Sequence, residues 1–205
     1  MLRIVKPLLC LLVFSAPSLA AIINGGFELN DNGWTVASTN FGSPWCTTAS
    51  CGTGGGKAGP HSGNGWLWFG GIAGSAEVGS ASQSVVVSAT GSPSLNFWVW
   101  DGQGPFGAAD YFLVTVDGSE VFRINQANSA AYSAYSQVTI SLGAWANDAN
   151  HLIRFEESNG TVGQGFNLSV DDVSISDSSA PEPASALLLG AGALLLAAFR
   201  RVHSA

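Results

Sequence analysis

Polar and apolar residues change places at every step of residues 137–142, with Val138, Ile140 and Leu142 on one side and Gln137, Thr139 and Ser141 on the other. A period of two fits a strand with one buried face and does not fit a helix, whose apolar residues recur every three or four positions. Phe112, Val114 and Val116 repeat the pattern, and Asp117-Gly118 then turns the chain toward Phe122 and Ile124, a hairpin signal. Further strand-like runs lie at 65–71, 81–88 and 94–100, around Ile153 and Phe155, and at Phe166, Leu168 and Val170. Glycine, serine and asparagine punctuate the gaps, and nothing between 21 and 177 keeps a long helical period. Many short strands with such turns predict an all-β fold, a two-sheet antiparallel sandwich. Residues 39–64, poor in strand signals, are expected to be a long surface loop, and 176–180 a polar linker.

The two ends of the chain differ from this middle. Arg3 and Lys6 precede an apolar run at 8–14, and small residues stand at Ser18 and Ala20. That order describes a secretory signal peptide over 1–20, cut after Ala20. The run falls short of the ~20 residues of a membrane span. Residues 21–177 suit one domain with a single core. The chain carries 14 acidic residues against 7 basic ones, and only Lys57, Arg123 and Arg154 of the latter fall within 21–177. A nucleic-acid partner is excluded, because phosphates need clustered Lys and Arg. Cations or neutral ligands such as sugars suit the acidic surface. In an exported chain Cys46 and Cys51 are expected to form a disulfide.

Most apparent enzyme motifs dissolve on inspection. The G-x-G-x-x-G match at 102–107 carries Pro105 and runs back into strand alternation, whereas a dinucleotide site needs a helix to begin there. Gly54-Gly55-Gly56-Lys57 lacks the first glycine of a phosphate loop and its final Ser or Thr. No Gly-x-Ser-x-Gly elbow is present. Glu156 and Glu157 are adjacent, so on a strand they point to opposite faces and cannot share one substrate. The expectation is a protein that is not an enzyme.

Tryptophans carry more information. Trp66 and Trp68 share one face of a strand, and Trp98 and Trp100 share one face of another. They are either core, as aromatic pairs often are, or flat exposed platforms for sugar rings.

The stretches INGGFE (23–28), HSGNGWLWFGG (61–71), YFLVTVDG (111–118) and FNLSVDDVSI (166–175), in this order, resemble jelly-roll modules of the galactose-binding-like type. These include many carbohydrate-binding modules and MAM-like adhesion domains. The resemblance implies a sandwich whose first and last strands lie side by side. It also implies a structural calcium ion held by Glu28 and by Asp171 or Asp172, with backbone carbonyls near Asn24 completing the oxygen shell. The alternation slips phase at Asp171-Asp172, which predicts a β-bulge there.

At the other end, Pro181-Glu182-Pro183, an apolar run from Ala186 to Phe199 and Arg200-Arg201 resemble the PEP-CTERM sorting signal. That resemblance implies a tail over 178–205 with a transmembrane helix at about 184–199, whose arginines stay cytoplasmic. It implies an exosortase as partner, cleavage near the Pro-Glu-Pro triplet, and a transient stay in the inner membrane before release to the cell envelope or outside. The function expected is an exported cell-envelope or exopolysaccharide-matrix protein that binds a glycan through Trp66, Trp68, Trp98 and Trp100. The alternative is a structural or adhesive matrix protein that binds no sugar.

Overall fold

A computed structural model describes residues 21–53, 59–71, 75–104, 106–160 and 166–177. The expected signal peptide and sorting tail lie outside the described residues, as does Lys57. Among the described residues ten strands run in chain order: β1 (Thr35–Ser38), β2 (Trp45–Thr47), β3 (Gly65–Gly70), β4 (Glu77–Val86), β5 (Pro93–Gln103), β6 (Tyr111–Val116), β7 (Ser119–Asn125), β8 (Ser136–Ser141), β9 (Asn150–Asn159) and β10 (Asn167–Asp177). They form two antiparallel five-stranded sheets in the orders β1-β4-β9-β6-β7 and β2-β3-β10-β5-β8. This is the two-sheet antiparallel β-sandwich that the alternation predicts, in the jelly-roll form that the resemblance implies. Among the described residues, no helix is long and apolar enough to cross a membrane.

The alternation decides what lies between the sheets. Phe112, Val114 and Val116 of β6 and Ile153 and Phe155 of β9 face Leu95, Phe97 and Val99 of β5 and Leu168 and Val170 of β10, all buried. Phe155 sits centrally, its ring edge-on to Phe97 at 5.2 Å and tilted against Trp34 at 6.0 Å. Burying a ring of this size contributes about 2–3 kcal/mol. Asp117 and Gly118 close the β6–β7 hairpin with φ of 50° and 79°, the doubly left-handed turn that matches strand twist.

Two expectations need correction. Residues 39–64 are not a bare loop: they hold β2 and a single helical turn, Thr48–Cys51, capped by the Thr47 side chain. A three-residue strand is too short for alternation to show, and it exists because Cys46 pairs with Trp66 across the ladder. Second, the first strand does not lie beside the last. β1 pairs with β4 at the edge of the opposite sheet, while β10 runs between β3 and β5. What flanks β10 is a turn: the Val173 N–H donates to the Gly25 carbonyl at 2.9 Å. The approach is so close that a Cβ on Gly25 would lie 1.8 Å from the Val173 oxygen.

Candidate functional site: a strapped aromatic face and an open cleft

β10 aims Ser169 and Asp171 outward, away from the core. Ser169 is opposite Trp68 on β3 and Trp100 on β5, and Asp171 is opposite Trp98. Trp66 precedes Trp68 by one pleat and shares its face. All four predicted tryptophans therefore lie on the outer face of one sheet, outside the main core. Trp66 is nonetheless fully buried, packed with the Cys46–Cys51 disulfide, whereas the other three are half-buried. The Trp68 indole N–H donates to Asn167 at 3.2 Å and that of Trp100 to the Ser133 carbonyl at 3.1 Å.

A strap formed by residues 59–65 crosses this face. The His61 ring stacks on Trp98 with centroids 4.0 Å apart and planes 13° from parallel, and Tyr135 meets His61 edge-on at 5.0 Å. The predicted acidic residues tie the strap down. Oδ2 of Asp171 accepts from the His61 and Ser62 amides at 2.8 and 3.1 Å. Asp172 takes His61 Nδ1 at 2.6 Å and the Ser62 hydroxyl at 2.8 Å. Glu28 Oε1 accepts from the Asn64 and Gly65 amides at 2.7 and 2.9 Å. Gly63 passes so close that a Cβ would meet Glu28 Oε1 at 2.2 Å, and its φ of 60° suits glycine.

The bulge is where the phase slip predicts it. The β10–β5 register shifts between Asp171 and Ser174, and Asp172 has a left-handed φ of 49°. Burial pushes the Asp171 carboxyl up to about 7, against the downward pull of the amides it accepts from. Glu28, Asp171 and Asp172 thus converge on one strap, and carboxylate oxygen is the donor type calcium takes. The Asn24 side chain turns the other way, closing its own loop through Leu29, Asn30 and Asn32. Among the described residues, no cluster of three or more His, Cys, Asp or Glu side chains is grouped to hold a metal.

Beside this face, at one end of the sandwich, a cleft of about 460 Å³ opens. Its apolar wall is Phe41, Trp45, Trp68 and the disulfide, and its polar wall includes Glu77, Glu157 and Asn167. Phe41 stands 54% exposed at this wall. Glu77 and Glu157 come from adjacent strands and follow the inward alternation of Ala81 and Phe155, so both enter the sandwich. Each is 1% exposed. Both oxygens of Glu77 are engaged, by the Ser38 hydroxyl at 2.5 Å, the Thr39 and Asn40 amides at 2.9 Å, and the Asn40 side chain at 2.6 Å. Glu157 differs. Its Oε2 is buried and has no hydrogen-bond partner among the described residues. Burial, then the charges of Glu77 and Asp110, push its carboxyl up to about 8, while the Gly70 amide pulls the other way.

Sequence reasoning misses this cleft. Nothing in its local pattern marks Glu77, and Glu157 stands out only beside Glu156, from which it is separated by opposite strand faces, as observed. The legible signal was a glutamate in phase with buried residues, Glu157 with Ile153 and Phe155.

No family model matches the chain, and no curated protein matches it. Solved structures do. The carbohydrate-binding module TmCBM61 in complex with β-1,4-galactotriose superposes with a TM-score of 0.52 at 17% identity, over 76% of this chain and 96% of that one. The K3 cleaved adhesin domain of Lys-gingipain from Porphyromonas gingivalis W83 gives 0.52 at 15% identity, over 76% and 98%. A carbohydrate-binding module of promiscuous specificity from the β-sandwich superfamily gives 0.50 at 12%, over 74% and 60%. The fold is that of carbohydrate-binding modules and adhesins. At such identities the likeness shows the fold alone, and function has to be argued from the site.

Proposed function

We propose that this is a non-catalytic carbohydrate-binding domain whose sugar enters the cleft walled by Trp68 and Phe41. The observation that carries this reading is the cleft itself. It is concave, largely apolar and of ligand size, with a few polar groups at one wall, as small-molecule sites are. Flat indole and phenyl faces suit the C–H faces of a sugar ring, and the Asn167 amide and Glu157 carboxyl suit its hydroxyls. A glycan array probed with the full-length protein in mild detergent tests it. Trp68→Ala should weaken the strongest hits at least roughly tenfold. An array blank for the intact protein would remove the reading.

One observation favours the adhesive alternative. The strap covers Trp98 with His61, so that part of the aromatic face is occupied by the chain's own ring.

The remaining reading rests on the terminal segments. The protein is exported, held briefly in the inner membrane by its tail, cut by an exosortase near Pro181-Glu182-Pro183 and delivered to the envelope or a polysaccharide matrix. Mass spectrometry of the exported form should find the segment after Pro183 missing. Intact Arg200-Arg201 in material released from cells would refute the processing. Calcium, in turn, would be held by Glu28 with Asp171 or Asp172 and carbonyls near Asn24, and would pin the strap to β10.

A further inference from the structure

The Cys46–Cys51 disulfide belongs to the cleft rather than to the core. With Trp66 it forms a second apolar cluster, apart from the one between the sheets, and Trp68 packs against it. Cys46, Ser50, Cys51 and Trp68 all line the cleft. The bond therefore touches the very indole that would serve as sugar platform. Little else holds this wall. β2 is an edge strand of three residues, and the turn Thr48–Cys51 buries none of its residues. A single helical turn does not persist unaided. It is fixed by its Thr47 cap, by the amide and hydroxyl of Thr48 on Asn64, and by the disulfide. The Trp66 indole N–H is buried with no acceptor among the described residues, which weakens the cluster further. Trp45 is anchored separately, its indole N–H donating to the Phe27 carbonyl at 2.9 Å.

We propose that the Cys46–Cys51 disulfide is the positioning element of the cleft: only the oxidised chain holds Trp68 and the turn beside it in the geometry that takes a sugar. This rests on the carbohydrate reading and adds a condition to it. The cleft is then completed only in an oxidising compartment, where such a bond forms and persists. A chain in a reducing compartment folds its sandwich without a working site.

Cys46 is 6% exposed and Cys51 more so, which makes Cys51 the sulfur that a reductant meets. The thiolate of a small dithiol attacks the Cys51 sulfur, and Cys46 leaves with the electron pair and takes a proton. The second sulfur of the dithiol then closes on the first, and Cys51 departs as a thiol. The two cysteines together gain two electrons and two protons, and the reagent ends as a cyclic disulfide. The consequence is local. The turn loses its tether, Ser50 and Cys51 leave the wall, and Trp68 loses part of its packing. The core between the sheets is a separate cluster and stays in place.

The test is a glycan array of the full-length protein in mild detergent, run oxidised, reduced with dithiothreitol, and reoxidised. Reduction, verified by two new thiols, should weaken the strongest hits roughly tenfold, because Trp68 and the turn must then be ordered at the moment of binding. Reoxidation should restore them. Tryptophan emission should rise on reduction, since a disulfide quenches the indoles beside it, while backbone circular dichroism stays unchanged. The paired variant Cys46→Ser/Cys51→Ser should bind as weakly as the reduced protein and ignore the dithiol. It decides alone if the bond resists the reagent, and the reduced wild type decides alone if the variant misfolds. Undiminished hits with both thiols free would overturn the proposal and leave the carbohydrate reading standing. Loss of the sandwich's circular dichroism together with binding would overturn it too, since the bond would then serve the whole fold. An array blank for the oxidised protein removes both.

Discussion

Asp171 and Glu157 are both buried carboxylates pushed up by desolvation, to about 7 and about 8, yet the chain treats them differently. Asp171 faces outward and receives the amides of His61, Ser62 and Asp172. Glu157 faces inward and keeps one oxygen with no partner. The first is surrounded by backbone donors of its own protein; the second lines a cleft with one buried oxygen that no donor among the described residues meets. A buried acid whose lone pairs are filled by backbone serves the fold. One whose lone pair is empty, at equal burial, marks a place where the fold stops providing.

Substitutions can break this contrast. Asp171→Ala should do the greatest damage, on the order of 3 kcal/mol or more, because it strands several backbone donors at once. Denaturant unfolding should show the loss, and proteolysis should begin within the strap. A stability close to wild type would mean that the strap is decorative. Next comes calcium. At hundredfold excess over its Kd it should stabilise the chelated protein by about 2.7 kcal/mol, an effect that Glu28→Gln removes. A melting curve indifferent to the ion would confine the strap to protein contacts alone. Removing the Cys46–Cys51 bond by paired serine substitution should cost about 2 kcal/mol, felt mainly through Trp66, which packs against it. Unchanged unfolding would show that β2 holds without it.

The smallest effect sharpens the contrast most. Glu157→Gln should shift stability by less than about 1 kcal/mol at neutral pH, since it replaces a group that is mostly protonated there. The pH profile separates the two acids. Both have folded values above the ~4 of free carboxyls, so the folded state holds the extra protons. Their contributions to stability are complete below that unfolded value and are lost as pH rises, through about 7 for Asp171 and about 8 for Glu157. Melting temperature should fall from mildly acid to mildly alkaline conditions; Glu157→Gln should make that fall shallower throughout and remove what continues of it between about 7 and about 8. An unaltered alkaline limb would mean that Glu157 is not the group titrating there.

How much of this could be read beforehand follows from what each residue's neighbours in sequence reveal. Val138 or Phe112 announces its strand because the residue two away agrees with it. The slip at Asp171-Asp172 announced its bulge by the same logic. Cys46 could not announce β2, because three residues make no period; the strand exists through Trp66, twenty positions on. The sequence does not decide between core and surface for Trp66 and Trp98, since a strand apolar on both faces does not say which face has a sheet above it. The strap was invisible for a different reason. His61 meets Asp172 across 111 positions, and no local pattern carries that pairing. The cleft depended on both failings: a lone inward charge, read without its cross-strand neighbour, looks like noise.

The placement of β10 also governs how the molecule can be made. The last strand among the described residues is the middle strand of its sheet, between β3 and β5. During synthesis from the amino end, β2–β3 and β5–β8 can pair, but they remain two ribbons with open edges until residues 167–177 arrive. Non-local closure of this kind is slow, and it exposes unpaired strand edges while it waits. A chain cut anywhere before Asn167 keeps those edges for good, with Leu67, Phe69, Phe97 and Val99 beside them. Such a fragment is an aggregation hazard rather than a smaller domain. Quality control of this protein therefore reduces to one late event, the insertion of eleven residues between two ribbons that have been ready for them.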